Sequence, residues 1–439
     1  MLMLNALKTT WGRNRRVIDN FLSLSLVQFA NYVAPLITLP YLFRVLGPSK
    51  FGLVELARAI TVYFLMLTDY SFSLSATREI SVCRDDPKRV SEIFSSVLVL
   101  RLLLVLASAA ALTLIVLGLP KLRADGPVYY LSFGSVIGMW LFPVWLFQGL
   151  ERMRFIAALN VTAKLLVVVC VFIFIRDADD YLYVPLLQSA GTIAVGLAGL
   201  ILALFGFRVR FRLPSVVMLK HEFLDGWHLF ISKMATTLYT TSNVVVLGLF
   251  TDNTFVAYYA AADKMVRAVQ SLQLPLSQAI FPHIGRLAAQ SERAAMTYAR
   301  KILQLVAVVT LVTSIALLAT APLLARIVLG ARSEGAVPVI QILSFLPLLG
   351  GLNNVLSIQI MVNFGLKKAL ARIVTAGGLL NIVLAVLLVA PCKHTGVALA
   401  SLTTEILVVA AMFSALHRSG LHVFAQPSGL RGTGSLDDR

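Results

Sequence analysis

The sequence is poor in charge, because Asp, Glu, Lys and Arg make up 13% of its 439 residues whereas 58% are hydrophobic. A soluble domain averages about 25% charged residues, so this chain lacks the polar surface that water requires. Apolar stretches of about 20 residues recur along its length, and each can cross a hydrocarbon core of about 30 Å. They are continuous and do not alternate, which excludes a transmembrane β-barrel. The sequence predicts an all-α polytopic membrane protein.

Several chemical features are also missing. The three cysteines (Cys83, Cys170 and Cys392) are scattered and have no metal-ligand spacing. The chain has no G-x-x-x-x-G-K-[ST] phosphate loop, which excludes nucleotide-driven chemistry of that type. No connecting segment is long enough for a soluble catalytic domain, and no signal-peptide cleavage site follows the basic leader. We therefore expect neither an enzyme nor a cofactor, with a proton or sodium gradient as an open source of energy.

The distribution of basic residues predicts the topology. With alternate connections assigned to opposite sides, 24 Lys and Arg lie on the side of the termini and 8 on the other. The positive-inside rule then puts both termini in the cytoplasm and accounts for the net charge of +17 without a nucleic-acid partner. The predicted spans are about 19–42, 51–76, 92–118, 128–149, 155–175, 182–206, 226–249, 255–281, 298–320, 337–361, 370–390 and 395–417.

Twelve helices divide into two lobes of six around a basic stretch near the middle of the chain. Two such halves have the same orientation, related by an axis along the membrane normal, and enclose a central cleft. The predicted division is a cytoplasmic leader at 1–18, an N-terminal lobe at 19–206, a cytoplasmic linker at 207–225, a C-terminal lobe at 226–417 and a cytoplasmic tail at 418–439.

Ionisable residues inside the spans are the strongest functional signal. Each costs at least about 2.5–3.5 kcal/mol near the bilayer centre, so it normally faces a cavity or a partner. Spacing puts Glu55 beside Arg58 and Asp263 beside Arg267, where they either neutralise each other or serve a ligand. Lys164 and Lys233 have no acid within one turn and either snorkel or meet a charge from outside. The ten are Glu55, Arg58, Asp69, Arg101, Lys164, Lys233, Asp263, Lys264, Arg267 and Glu405.

Neutral polar residues extend these faces on the first helix of each predicted lobe. Gln28 and Asn31 begin a stripe at three- and four-residue steps, and Asn243 lies near a similar stripe that starts at Lys233. Cations attract phosphate, while amides and hydroxyls exchange hydrogen bonds with sugars. A cleft lined in this way favours a ligand that is anionic and rich in hydroxyl groups.

The segment from Asn31 to Ser81, "NYVAPLITLPYLFRVLGPSKFGLVELARAITVYFLMLTDYSFSLSATREIS", carries a family resemblance. It resembles the N-terminal signature of the bacterial polysaccharide flippases, the O-antigen (Wzx-type) transporters. The matching elements are a Pro-containing first helix and an "R-x-L-G-x-x-x-[FY]-G" turn. In a third element, Ser71-Phe72 replaces the usual Gly-Phe.

This resemblance implies membership of the multidrug/oligosaccharidyl-lipid/polysaccharide exporter superfamily, with alternating access in the bacterial inner membrane. It implies that an oligosaccharide on undecaprenyl pyrophosphate is moved from the cytoplasmic to the periplasmic leaflet. The partners implied are this lipid-linked substrate, bilayer lipids, a polysaccharide polymerase and a chain-length regulator. The positions that match the family's cationic lumen are Arg58, Lys233, Lys264 and Arg267, and we add Arg101 and Lys164 as candidate substrate contacts.

Three other functions stay open from the sequence. A multidrug or small-molecule antiporter of the same superfamily is disfavoured by the cationic interior, a polymerase or ligase by the short outer loops, and a scaffold by the ten buried charges. The acids Glu55, Asp69, Asp263 and Glu405 either carry a coupling proton or balance the cations.

Overall fold

A computed structural model of the protein describes residues 2–207 and 209–421, and these residues contain helices and no strand. The predicted tail beyond residue 421 lies outside the described residues. The helices of the first half are α1 (Leu2–Asp69), α2 (Phe72–Val82), α3 (Pro87–Gly118), α4 (Pro120–Ala124), α5 (Gly126–Leu141), α6 (Val144–Gly149), α7 (Met153–Phe174) and α8 (Tyr183–Ile201). Those of the second half are α9 (Val216–Phe250), α10 (Asn253–Ser271), α11 (Leu274–Gln290), α12 (Glu292–Leu329), α13 (Val337–Leu343), α14 (Leu346–Asn354) and α15 (Lys367–Arg418). Short 3₁₀ segments (Ala178–Leu182, Gly330–Arg332, Glu334–Ala336) and π segments (Leu202–Gly206, Val355–Val362) adjoin them.

Two helices each contain two of the predicted spans. In α1 the predicted outer turn is helical, but Gly47 adopts φ +71°, which interrupts the right-handed helix and divides α1 into two arms. In α15, Lys393 has φ 48° and ψ −127°, between the predicted spans 370–390 and 395–417. Prolines inside both helices remove backbone donors near these points.

The membrane-spanning character of the chain is confirmed, although the count of twelve stays a prediction. In the described part of the chain, eight helical segments are long and apolar enough to cross a membrane. They are Ser25–Val82, Pro87–Gly118, Gly126–Gly149, Met153–Phe174, Ala178–Gly206, Glu292–Arg332, Glu334–Val362 and Lys367–Arg418. A shorter apolar helix, Thr241–Phe250, occupies the end of α9.

The predicted second span is not continuous. Between α1 and α2, Tyr70 (φ 44°) and Ser71 (φ 67°) both adopt left-handed conformations, which strain residues other than glycine. The Tyr70 ring is stacked between Phe223 and Phe230 of α9, with ring centroids 4.6 Å from each. The break is therefore held by aromatic packing from the second half of the chain.

The two halves share one apolar core. Its buried members include Phe43, Phe51 and Leu56 of α1 together with Val256 and Tyr259 of α10. The predicted lobe boundaries stay a prediction, although the predicted linker is partly helical because α9 begins at Val216, where the Ser215 hydroxyl accepts from the Met218 N–H.

The closest approach of α1 and α10 depends on a glycine. A Cβ added to Gly52 would lie 1.8 Å from the carbonyl oxygen of Asn253. Because the neighbour is backbone, no side chain can move aside to make room. The tight contact of α1 with α10 holds the charged residues of both helices close together.

Candidate functional site

A cavity of about 440 Å³ lies among α1, α5, α7 and α8. Both arms of α1 line it, and Lys264 reaches it from α10. Its charged lining residues are Glu55, Arg58, Lys164 and Lys264, an excess of two positive charges. The predicted cationic cavity is therefore present, but most of its wall comes from the first half of the chain instead of from the interface of two lobes.

Glu55 joins two of the cavity cations. Its Oε2 accepts from Arg58 Nε at 3.1 Å, and its Oε1 accepts from Lys264 Nζ at 2.5 Å. The Glu55 side chain is 7% exposed, so its charge needs both partners. Arg58 is 48% exposed, and in the described part of the chain its two terminal nitrogens have no hydrogen-bond partner. Arg58 can therefore keep Glu55 neutralised and still offer donors to a ligand.

Lys164 is the cavity cation with a neutral partner among the described residues. It lies on α7, and its Nζ donates to Asn31 Oδ1 on the first arm of α1. Asn31 was predicted to line the cleft and instead holds Lys164, while Gln28, one turn away, is exposed outside the cavity lining. Because an amide leaves the ammonium charge uncompensated, Lys164 is well suited to bind an anion.

Lys233 and Asp69 form a second link between the two halves of the chain. Lys233 of α9 donates to Asp69 Oδ2 at the end of α1, and the Ser73 hydroxyl donates to Oδ1. Asp69 is 7% exposed and Lys233 is 44% exposed, and neither residue lines the cavity. A direct role of Lys233 with substrate stays a prediction, since here its described partner is a carboxylate of the protein.

Arg101 is completely buried on α3 and lies outside the cavity lining. Its Nε donates to the Thr68 carbonyl (3.3 Å), its Nη2 donates to the Met139 carbonyl (2.9 Å), and its guanidinium lies 4.8 Å from the Trp145 ring centroid. The Thr68 carbonyl precedes the Tyr70–Ser71 break. The Met139 carbonyl faces Pro143, which has no N–H to donate. Arg101 thus caps two interrupted helices, and its predicted contact with substrate stays a prediction.

The remaining predicted charges also have partners inside the protein. On α10, Arg267 Nε donates to Asp263 Oδ2 at 2.7 Å, which matches the predicted shared face. Glu405 of α15 accepts from Asn353 at 2.7 Å. None of these four residues lines the cavity. Their predicted roles in binding or coupling stay predictions.

Asn243 belongs to a buried polar network in the second half of the chain. It donates to Tyr259 OH (3.0 Å) and Ser401 Oγ (2.7 Å), and its Oδ1 accepts from Asn381 (2.9 Å). Such a satisfied network joins α9, α10 and α15 in an apolar interior. Within residues 2–207 and 209–421, no group of three His, Cys, Asp or Glu side chains could hold a metal ion.

Sequence reasoning missed the neutral polar residues of the cavity. They lie in pairs three or four residues apart, which places both members on the same face of an otherwise apolar helix. That spacing was the available signal. The lining pairs are Ser132 and Ser135 on α5, Asn160 and Lys164 on α7, and Gln188 and Thr192 on α8.

The profile of a family described as "Polysaccharide biosynthesis protein" matches residues 17–288, more than half of the chain. Two curated relatives both bear the name "Putative O-antigen transporter". The protein from Escherichia coli (strain K12) is 31% identical over 404 residues, covering 92% of this chain and 97% of the relative. The protein from Shigella dysenteriae is 29% identical over 403 residues, covering 90% and 99%.

Solved structures share the fold. The lipid II flippase MurJ in an inward closed conformation superposes with a TM-score of 0.74 at 14% identity, covering 89% of this chain and 87% of that one. An inward-facing multidrug resistance MATE family transporter of the MOP superfamily reaches 0.66 at 14% identity, covering 93% and 100%. At this identity the likeness concerns the fold alone, and it agrees with the predicted superfamily.

Proposed function

Because the chain belongs to the family of polysaccharide biosynthesis proteins, we propose that it is a flippase for lipid-linked oligosaccharides. It binds the repeat unit of a surface polysaccharide, such as O-antigen, on its undecaprenyl pyrophosphate carrier. It then carries the headgroup from the cytoplasmic to the periplasmic leaflet of the bacterial inner membrane. No covalent bond is made or broken, and the lipid tail stays in the bilayer.

The observation that carries this proposal is the charge of the cavity. Arg58, Lys164 and Lys264 outnumber Glu55 in its lining, Arg58 has unused donors, and Lys164 is held by a neutral amide. A pyrophosphate diester carries negative charge on both phosphates and accepts several charge-assisted hydrogen bonds. In an interior of low dielectric these interactions are stronger than in water, which favours an anionic headgroup.

Binding can drive the conformational change through Glu55. The Glu55–Lys264 contact joins α1 to α10, so it helps to hold the two halves together in this state. A phosphate that binds Lys264 competes directly with the Glu55 carboxylate for the same ammonium group. Substrate therefore favours the state in which this link is open, as alternating access requires.

A multidrug antiporter is the second candidate, since the same fold occurs in a MATE transporter. Its cationic substrates would meet repulsion from the excess of two positive charges in the cavity. Glu55, the carboxylate in the lining, is already bonded to Arg58 and Lys264. The charge distribution favours the anionic lipid-linked sugar.

Deletion of the gene tests the proposal. We expect surface polysaccharide to disappear while the lipid-linked unit accumulates, and a plasmid-borne copy should restore both. Labelling the carrier-linked sugar on the periplasmic side separates a flippase from a polymerase, whose loss leaves single units there. Normal polysaccharide, or altered drug resistance alone, would contradict the proposal. Co-purification with a polymerase or a chain-length regulator tests the proposed protein partners.

A further inference from the structure

The cavity contains a neutral polar surface that the charged residues do not explain. Asn160 of α7 and Gln188 of α8 line it together with Ser135 and Thr192, and we call these four residues the neutral wall. Apolar side chains, including Val167 and Val195, lie in the same lining. A purely electrostatic anion site would not require amides on these two helices.

Two amides of the neutral wall have unused hydrogen-bonding capacity. Asn160 Nδ2 donates to the Ile156 carbonyl at 2.9 Å, which leaves Oδ1 without a partner among the described residues. Gln188 makes no side-chain hydrogen bond within the described part of the chain. The hydroxyls differ, because Ser135 pairs with Ser189 (3.1 Å) and Thr192 donates to backbone carbonyls of its own helix. An amide that enters a membrane interior without a partner is costly, so these two groups are suited to a polar ligand or water.

We propose that Asn160 and Gln188 recognise the sugar nearest to the pyrophosphate and thereby select which repeat unit is carried. This inference rests on the proposed flippase function. An amide is both donor and acceptor, as is a sugar hydroxyl, so it can distinguish the position of a hydroxyl without attracting the phosphate. The interspersed valines match the C–H faces of a pyranose ring.

The position of the amides relative to the cations supports this division of work. Asn160 and Lys164 are four residues apart, on one face of α7, so an anion bound by Lys164 lies about one helical turn from Asn160. The sugar bonded to that phosphate is the part of the ligand that reaches the amide. A cavity of about 440 Å³ is within the range of pockets that enclose small ligands, and it accommodates the first sugar better than a complete repeat unit.

The test uses the full-length protein in detergent with defined lipids. The probes are undecaprenyl pyrophosphate and the same lipid carrying N-acetylglucosamine, N-acetylgalactosamine or galactose. We expect the wild-type protein to bind the sugar-free lipid and to rank the three sugars. The near-isosteric variants Asn160→Leu and Gln188→Met should each lose about threefold to tenfold of that ranking, as one lost hydrogen bond implies, with unchanged affinity for the sugar-free lipid.

Two controls make the outcome decisive. Thr162→Val, an exposed position outside the cavity lining and two residues from Asn160, should leave every affinity unchanged. Lys164→Gln should weaken all four lipids alike. If the wild-type protein binds none of the lipids, the proposed function fails. If it binds all four but does not rank the sugars, or if both amide variants keep the ranking, only the sugar-recognition inference is overturned.

Discussion

Removing Lys233 should expose how strongly the Asp69–Lys233 pair holds the two halves together. Lys233→Ala leaves Asp69, 7% exposed, with the Ser73 hydroxyl as its described partner. Loss of one partner of a fully buried ion pair costs about 3–5 kcal/mol. Because 44% of the Lys233 side chain is exposed, solvent screens the pair, and we expect about 1–3 kcal/mol instead.

A double-mutant cycle measures this contribution. Thermal unfolding in detergent, followed by intrinsic fluorescence, compares wild type, Lys233→Ala, Asp69→Asn and the double variant. In the double variant no buried charge remains, so it should be more stable than Lys233→Ala alone. Lys220→Ala, an exposed lysine on the same helix, is the matched control and should have no effect.

Complementation of a deletion strain separates a structural role from a substrate role. We expect Lys233→Ala to abolish complementation at unchanged membrane abundance. If the double variant regains stability and surface polysaccharide, the pair is a link between α1 and α9. If it regains stability alone, Lys233 also contacts the substrate. A double variant no more stable than Lys233→Ala would refute the reasoning, because the unpaired Asp69 would then not be the cause of the loss.

Three further predictions follow from the same geometry. Glu55→Gln removes the carboxylate that competes with phosphate, so binding of undecaprenyl pyrophosphate should tighten by about tenfold while complementation falls, and weaker binding would contradict this. Arg101→Met leaves two buried carbonyls without their donors and should destabilise by about 2–4 kcal/mol, with Arg101→Lys intermediate; unchanged thermal stability would contradict the capping role. Gly52→Ala places a Cβ 1.8 Å from the Asn253 carbonyl oxygen and should sharply lower the yield of folded protein, whereas Gly118→Ala, with nothing within 4 Å, should not.

The predicted cation-rich cavity agrees with the structure in kind, but its composition differs from the prediction. Arg58, Lys164 and Lys264 line the cavity, whereas Arg101, Lys233 and Arg267 do not. All six look alike in the sequence, because each is a basic residue far from the end of an apolar span. Their partners come from other helices, up to 209 residues away for Glu55 and Lys264. One-helix spacing cannot reveal such partners, which is why it identified only the local pairs.

The break after Asp69 illustrates the same limit. Tyr70 and Ser71 carry no glycine or proline signal, and propensity alone predicts that the helix continues. The left-handed conformation is held by stacking of Tyr70 on Phe223 and Phe230 and by Arg101, which accepts the role of the lost donor to Thr68. These contacts are all long-range in sequence.

The sequence by itself determined that this is a helical membrane transporter with an interior suited to an anionic, hydroxyl-rich ligand. Hydropathy, Lys and Arg asymmetry and the cost of buried charge are local or additive properties, so they can be read from residue order. Only the tertiary structure decided which charges face the cavity, which neutralise each other across helices, and where the neutral wall lies. Those outcomes depend on the packing of helices remote in sequence, where a difference of one helical turn decides whether a cation meets a carboxylate of the protein or the ligand.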